Sequence, residues 1–139
     1  MNRVFNTTFE NAMRLLVALD TLQEPVNEFE LVDADFAATY ARYFNVGATD
    51  LHGLTSFVDA VYTQRRKKAH EALRSLVASG YVTANHDAAH PVFTISGTGH
   101  ERIKTINSKY VNAYKKYVHS ALTAIRDGHL QVFMNKEES

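Results

Sequence analysis

The chain has 139 residues, no cysteine, 45% apolar residues and a formal net charge of zero. That composition suits one soluble globular domain with a modest core, and it excludes disulfides and thiolate metal sites. No apolar run approaches the ~18 residues of a membrane span, and Met-Asn-Arg-Val-Phe-Asn at the start has no signal-peptide apolar region, so a cytoplasmic protein is expected.

The charge is unevenly placed. Residues 1–60 hold nine Asp/Glu against three Lys/Arg, and residues 61–139 hold twelve Lys/Arg against six Asp/Glu. Such a dipole steers an anionic partner to the second half, whereas a fold that interleaves the halves cancels it.

In chain order, Thr7 with Glu10 forms a capping-box pattern, and Phe9, Ala12, Met13, Leu16 and Leu19 line one face of a first helix from about Phe9 to Leu22. Pro25 ends the connection that follows. Asn27 with Glu30 offers a second capping box. Phe29, Val32, Phe36, Tyr40 and Tyr43 then predict an amphipathic helix to about Phe44. From Asn45 to Tyr62, Gly47 and Gly53 interrupt any period, so the segment is either a long binding loop or holds a short helix after Ser56. From Thr63, Arg66, Ala69, Leu73, Leu76 and Val77 mark a helix that stops at Gly80. Tyr81-Val82-Thr83 and Pro91 to Ile95, around a polar tip, predict a hairpin. A long last helix is expected from about Thr98 to Arg126, with Ile103, Ile106, Tyr110, Tyr114, Tyr117, Ala121 and Ile125 on one face. Asp127-Gly128 ends it, and His129 to Met134 offers a further short strand.

One constellation is specific: Leu73-x2-Leu76-x3-Gly80-Tyr81-Val82, a polar gap, then Phe93-x-Ile95-Ser96-x2-Gly99. The leucines hold a helix on the core and Gly80 supplies a left-handed turn into the first strand. The apolar strand positions close the core, and Ser96 or Thr98 caps the next helix. The fold expected is therefore mainly α with a small β-hairpin: a single winged helix-turn-helix domain at 1–139. Its core spans about 7–97, its long C-terminal helix about 98–127, and its tail 128–139.

A winged helix alone fixes no function. Its third helix begins Gln64-Arg65-Arg66-Lys67-Lys68. Arg65, Arg66 and Lys68 are candidate phosphate contacts and Gln64 a candidate base contact on double-stranded DNA. A basic run is equally a solvated face or a surface for an acidic protein, and the hairpin tip offers no Lys or Arg. Tyr110, Tyr114 and Tyr117 form a stripe suited to an interface, or pack on the chain's own first helix.

Enzymatic readings find little support. His86 and His90 lie four apart in the hairpin tip with no third ligand, so no metal is expected. Asp33 and Asp35 point to different faces of a helix. No phosphate loop is present, Gly97-Thr98-Gly99 reading as a cap. No catalytic residue and no cofactor are assigned.

Phe5-Asn6-Thr7-Thr8-Phe9-Glu10, Asp35-Phe36 with Tyr40 and Phe44, Leu51-His52-Gly53, Arg65-Arg66 before Ala72-Leu73-x2-Leu76, and Gly80 resemble the middle component of bacterial ABC-three-component systems over about residues 3–118. The resemblance implies a small winged-helix protein encoded between an effector, often a nuclease, and an ATPase of the ABC or chromosome-maintenance (SMC) type. The Lamassu class of antiphage systems is one branch. The family has no catalytic residues in this component, so none are carried over. Two functions follow as expectations. The first is a non-catalytic adaptor between that ATPase and the effector, with Leu51, His52, Gly53, Phe57, Tyr110, Tyr114 and Tyr117 as candidate partner contacts. The second is a dimeric winged-helix transcription regulator binding DNA through Gln64, Arg65, Arg66 and Lys68.

Overall fold

The computed structural model describes residues 7–49, 51, 58–87 and 89–132. These residues hold five helices and a three-stranded antiparallel sheet, in the order α1 (Thr8–Leu22), β1 (Val26–Asn27), α2 (Glu28–Thr39), α3 (Val58–Ala78), β2 (Val82–Asn85), β3 (Val92–Ile95), α4 (Gly97–Ile103) and α5 (Lys109–Arg126). The mainly helical class with a small hairpin is therefore as expected.

Thr7 starts α1, its Oγ1 accepting the Glu10 amide at 3.0 Å. α1 is more enclosed than a one-sided stripe suggests. Asn11, Arg14, Leu15, Val17 and Ala18 are buried along with Ala12, Leu16 and Leu19, while Phe9 is exposed. The reason is its central place, with α2, α3, α4, α5 and β3 all packed around it.

At the start of α2 the capping box forms in both directions. The Glu30 amide donates to Asn27 Oδ1 at 2.8 Å, and the Asn27 amide donates to Glu30 Oε1 at 3.1 Å. The helix ends at Thr39 rather than near Phe44. The Thr39 hydroxyl donates back to the Phe36 carbonyl, and the chain turns through Asn45, whose φ is 64°. Val32, Phe36 and Tyr40 face the core, whereas Phe29 and Tyr43 at the two ends of the stripe are exposed.

The third strand of the sheet was not legible in sequence. Two residues are too few for an alternation signal, yet Val26 and Asn27 pair with Phe93 and Val92, giving strand order β1-β3-β2. α3 ends as the sequence predicts. Gly80 has φ 82°, the Tyr81 amide donates to Leu76 and the Gly80 amide donates to Val77. β2 and β3 then pair from Val82↔Ile95 to Asn85↔Val92. Ser96 closes the motif, its Oγ accepting the Gly99 amide at 3.0 Å and donating to the Gly80 carbonyl at 2.7 Å. A side chain at Gly99 would stand 2.2 Å from the Tyr81 carbonyl oxygen, so only glycine fits there.

The long last helix is two helices. α4 stops at Ile103, and α5 starts after Ser108, whose extended backbone and Oγ cap the Val111 amide at 3.1 Å. Thr105 to Ser108 combines β-branched and cap-forming residues, so a helical period runs across a segment that is not helical. After the break α5 lies along α2 and α1 and buries Tyr114, Val118, Ala121 and Leu122. Of the short strand expected from His129 to Met134, residues 129–132 form none, and residues 133–134 lie outside the described residues. No helix among the described residues is long and apolar enough to cross a membrane.

Candidate functional site

The most unusual chemistry lies inside the bundle. Arg14 and Asp35 interrupt two apolar runs, Ala12–Leu19 on α1 and Ala34–Ala38 on α2, and both are buried. Arg14 Nε donates to Asp35 Oδ1 at 2.9 Å and its Nη2 to Oδ2 at 3.3 Å. Arg65 on α3 donates from Nη2 to the same Oδ2 at 3.2 Å and from Nη1 to Thr39 Oγ1 at 3.2 Å. From α5, the Tyr114 hydroxyl donates to Asp35 Oδ1 at 2.6 Å. Arg14 also donates to Asn11 Oδ1. One carboxylate thus joins four helices.

Burial disfavours a charge on Asp35, but Arg14 and Arg65 outweigh it and hold its carboxyl down to about 2. Burial likewise opposes charge on both arginines. At Arg14 the forked contact to Asp35 wins and the pKa rises, whereas at Arg65 burial and the nearby Arg14 lower it. Burial raises Tyr114 well above the usual phenol value and pushes Tyr110 up to about 12. These groups are strongly perturbed by one another, which is what a structural ion network does as well as an active site.

The remaining charges of the two halves also meet. His100 Nδ1 lies 2.6 Å from Asp20 Oδ1, and His70 Nδ1 lies 2.6 Å from Glu28 Oε2. Arg126 donates to Glu24, Glu30 and the Pro25 carbonyl. The Tyr62 hydroxyl donates to Asp33 at 2.5 Å. At these points the acidic first half faces groups of the second half.

The candidate nucleic-acid residues separate. Arg65 points into the core at 5% exposure, so its expected phosphate contact is replaced by the bond to Asp35. Arg66 lies half-buried with its guanidinium 4.8 Å over the Phe29 ring. Phe29 is 52% exposed, with His90 edge-on at 6.2 Å. Gln64 is exposed and Lys68 half-buried; Lys67, Glu71 and Arg74 continue the outer face of α3.

The candidate partner contacts separate too. Tyr114 is buried and serves Asp35, so it is core and not interface. Tyr110 stacks on it at 6.5 Å and is partly buried. Tyr117 is half-buried against Gly47, where a Cβ would stand 2.4 Å from its ring. The stripe packs on the chain's own core because α5 crosses it and does not project past it. Leu51 is half-buried, its amide donating to the Thr39 carbonyl at 2.8 Å. His52, Gly53 and Phe57 lie outside the described residues. His86 and His90 are exposed in the hairpin tip, and among the described residues no group of three His, Asp or Glu is placed to hold a metal ion.

Sequence reasoning missed the Asp35 network and the Phe29–Arg66 pair. A signal for the first was present: an Arg and an Asp, each inside a continuous apolar run, need a partner once buried.

The family model for the ABC-three component (ABC-3C) system Middle Component 2 matches residues 4–139. No curated protein and no solved structure matches the chain.

Proposed function

The chain belongs to the Middle Component 2 family of ABC-three-component systems, and from that premise we propose that it is a non-catalytic adaptor subunit in an antiphage defence complex. It joins an ATPase of the ABC or SMC type to an effector, often a nuclease, in the bacterial cytoplasm. The Lamassu class is the branch that this reading favours. The family match over 4–139 is the observation that carries the adaptor reading.

One feature of the fold supports the non-catalytic part. The strongly perturbed groups Asp35, Arg14, Arg65 and Tyr114 answer one another inside the bundle. The order of helices, with a two-stranded hairpin after α3, supports a winged-helix reading, which by itself fixes no function. With Tyr114 in the core, partner contacts fall to the segment around Leu51 and to the outer faces of α3 and the hairpin. Tagged chain co-expressed with the two neighbouring genes is expected to carry both products through purification. Failure to retain an adjacent ATPase overturns the reading.

A second reading, a dimeric winged-helix transcription regulator, rests on the exposed Gln64 and Lys67 and the half-buried Lys68 of α3. It loses Arg65 to the core. It requires salt-sensitive duplex binding by the isolated chain, tighter than ~10 µM at physiological salt.

A further inference from the structure

Between α3 and the hairpin lies an open groove of about 290 Å³. Its floor is apolar: Leu73 and Val77 from α3, Ala84 and Phe93 from the strands. Leu73 and Phe93 are buried and fixed by the core, so the floor is preformed. Arg74 and His86 stand at the rim, both exposed. Among the described residues no carboxylate pairs with Arg74. The acid at the same rim, Glu28, is already within 2.6 Å of His70. β2 is also an outer strand of the sheet on this side, and among the described residues no further strand pairs with its outer edge.

An apolar floor beside an exposed cation is complementary to an apolar side chain with a neighbouring carboxylate. A duplex fits less well. Its backbone needs several cations in a row, but Arg65 is turned inward, Arg66 sits on Phe29, Glu71 stands within the outer face of α3, and the tip of the hairpin has no Lys or Arg.

We propose that the groove between α3 and the β2–β3 hairpin docks a short acidic–apolar segment of a partner subunit, its apolar side chain on Leu73, Val77 and Phe93 and its carboxylate on Arg74. The proposal rests on the adaptor reading and names the surface that reading needs. Arginine beside a preformed apolar pocket is the kind of position that dominates interface energetics.

The test measures binding of the full chain to each of the two other purified components encoded with it. Four chains are compared: wild type, Arg74→Glu, Val77→Asp, and Lys116→Glu on the outer face of α5 as control. Arg74→Glu and Val77→Asp are expected to weaken binding to one component by about tenfold or more, with Lys116→Glu unchanged. Arg74 is exposed, so its variant keeps the test decisive if Val77→Asp melts early. Wild-type affinity in both groove variants overturns the docking site and leaves the adaptor reading standing. Absence of binding by the wild-type chain to either component overturns both. Competition by a 20-base-pair duplex for the Arg74 surface at physiological salt also overturns the proposal, since the face would then be a nucleic-acid interface.

Discussion

Arg65 and Arg66 are consecutive in sequence and end in opposite surroundings. Arg65 enters the four-helix junction and bonds to Asp35 and Thr39. Arg66 stays outside and rests on the ring of Phe29. The same contrast separates the two regions they belong to. The Asp35 junction is closed, with acceptors and donors from α1, α2, α3 and α5 directed at one another. The outer side of α3 and the hairpin presents an exposed Arg74 and an apolar groove, with the exposed ring of Phe29 from α2 beside Arg66. A basic run is therefore not a basic surface. What lies opposite each residue decides whether its charge holds the fold or is offered to a partner.

That contrast is broken most severely at its centre. Asp35→Ala leaves two guanidinium groups in the junction with their shared carboxylate gone, and loss of one member of a buried ion network costs about 3–5 kcal/mol. Denaturant unfolding is expected to register a loss of that order, or an unfolded chain. Loss below about 1 kcal/mol would mean that water reaches the junction.

Acid is the next largest probe. Asp35 has a folded pKa of about 2, below its unfolded value of about 3.9. The unfolded state therefore takes up the proton first as pH falls. The stabilisation, roughly 2–3 kcal/mol, is fully present above pH ~4 and is lost between about pH 4 and pH 2. Glu30, lowered by its bond to Arg126, acts in the same direction. Unfolding free energy measured against pH is expected to fall through that window, and less steeply in Asp35→Asn.

Tyr114→Phe removes only the hydroxyl bond to Asp35 and keeps the ring, for an expected loss of about 1–2 kcal/mol. At the outer region, Arg66→Ala removes a partly exposed cation–π contact, for about 0.5–1 kcal/mol. A larger loss for Arg66→Ala than for Tyr114→Phe in the same unfolding assay would reverse the comparison.

Much of the fold was legible because local physics decides it. Gly80 needs a left-handed turn, Asn27 and Glu30 cap each other, and two β-branched and aromatic runs flank a polar tip between Val82 and Ile95. The failures have two causes: a local cap or turn that the apolar period hides, or a deciding contact distant in sequence. A two-residue strand exists only because β3 lies beside it. The last helix breaks at Thr105 to Ser108 although the apolar period continues, because Ser108 caps a second helix that packs along α2. In the candidate site, Tyr114 and Arg65 carry surface-like chemistry in sequence, and only the buried Asp35 from another helix explains why they turn inward. The α3–hairpin groove depends on Leu73 and Phe93 meeting across elements, which no local pattern encodes.

The adaptor role makes a demand that no isolated-chain property can meet. The products of the two genes encoded beside this chain, proposed above to be an ATPase and an effector, should be co-expressed with it and without it, and the mass of the purified assembly measured. The expected result is one complex holding all three products when the chain is present, and separated ATPase and effector when it is omitted. An ATPase–effector complex of unchanged composition without the chain would contradict the central claim.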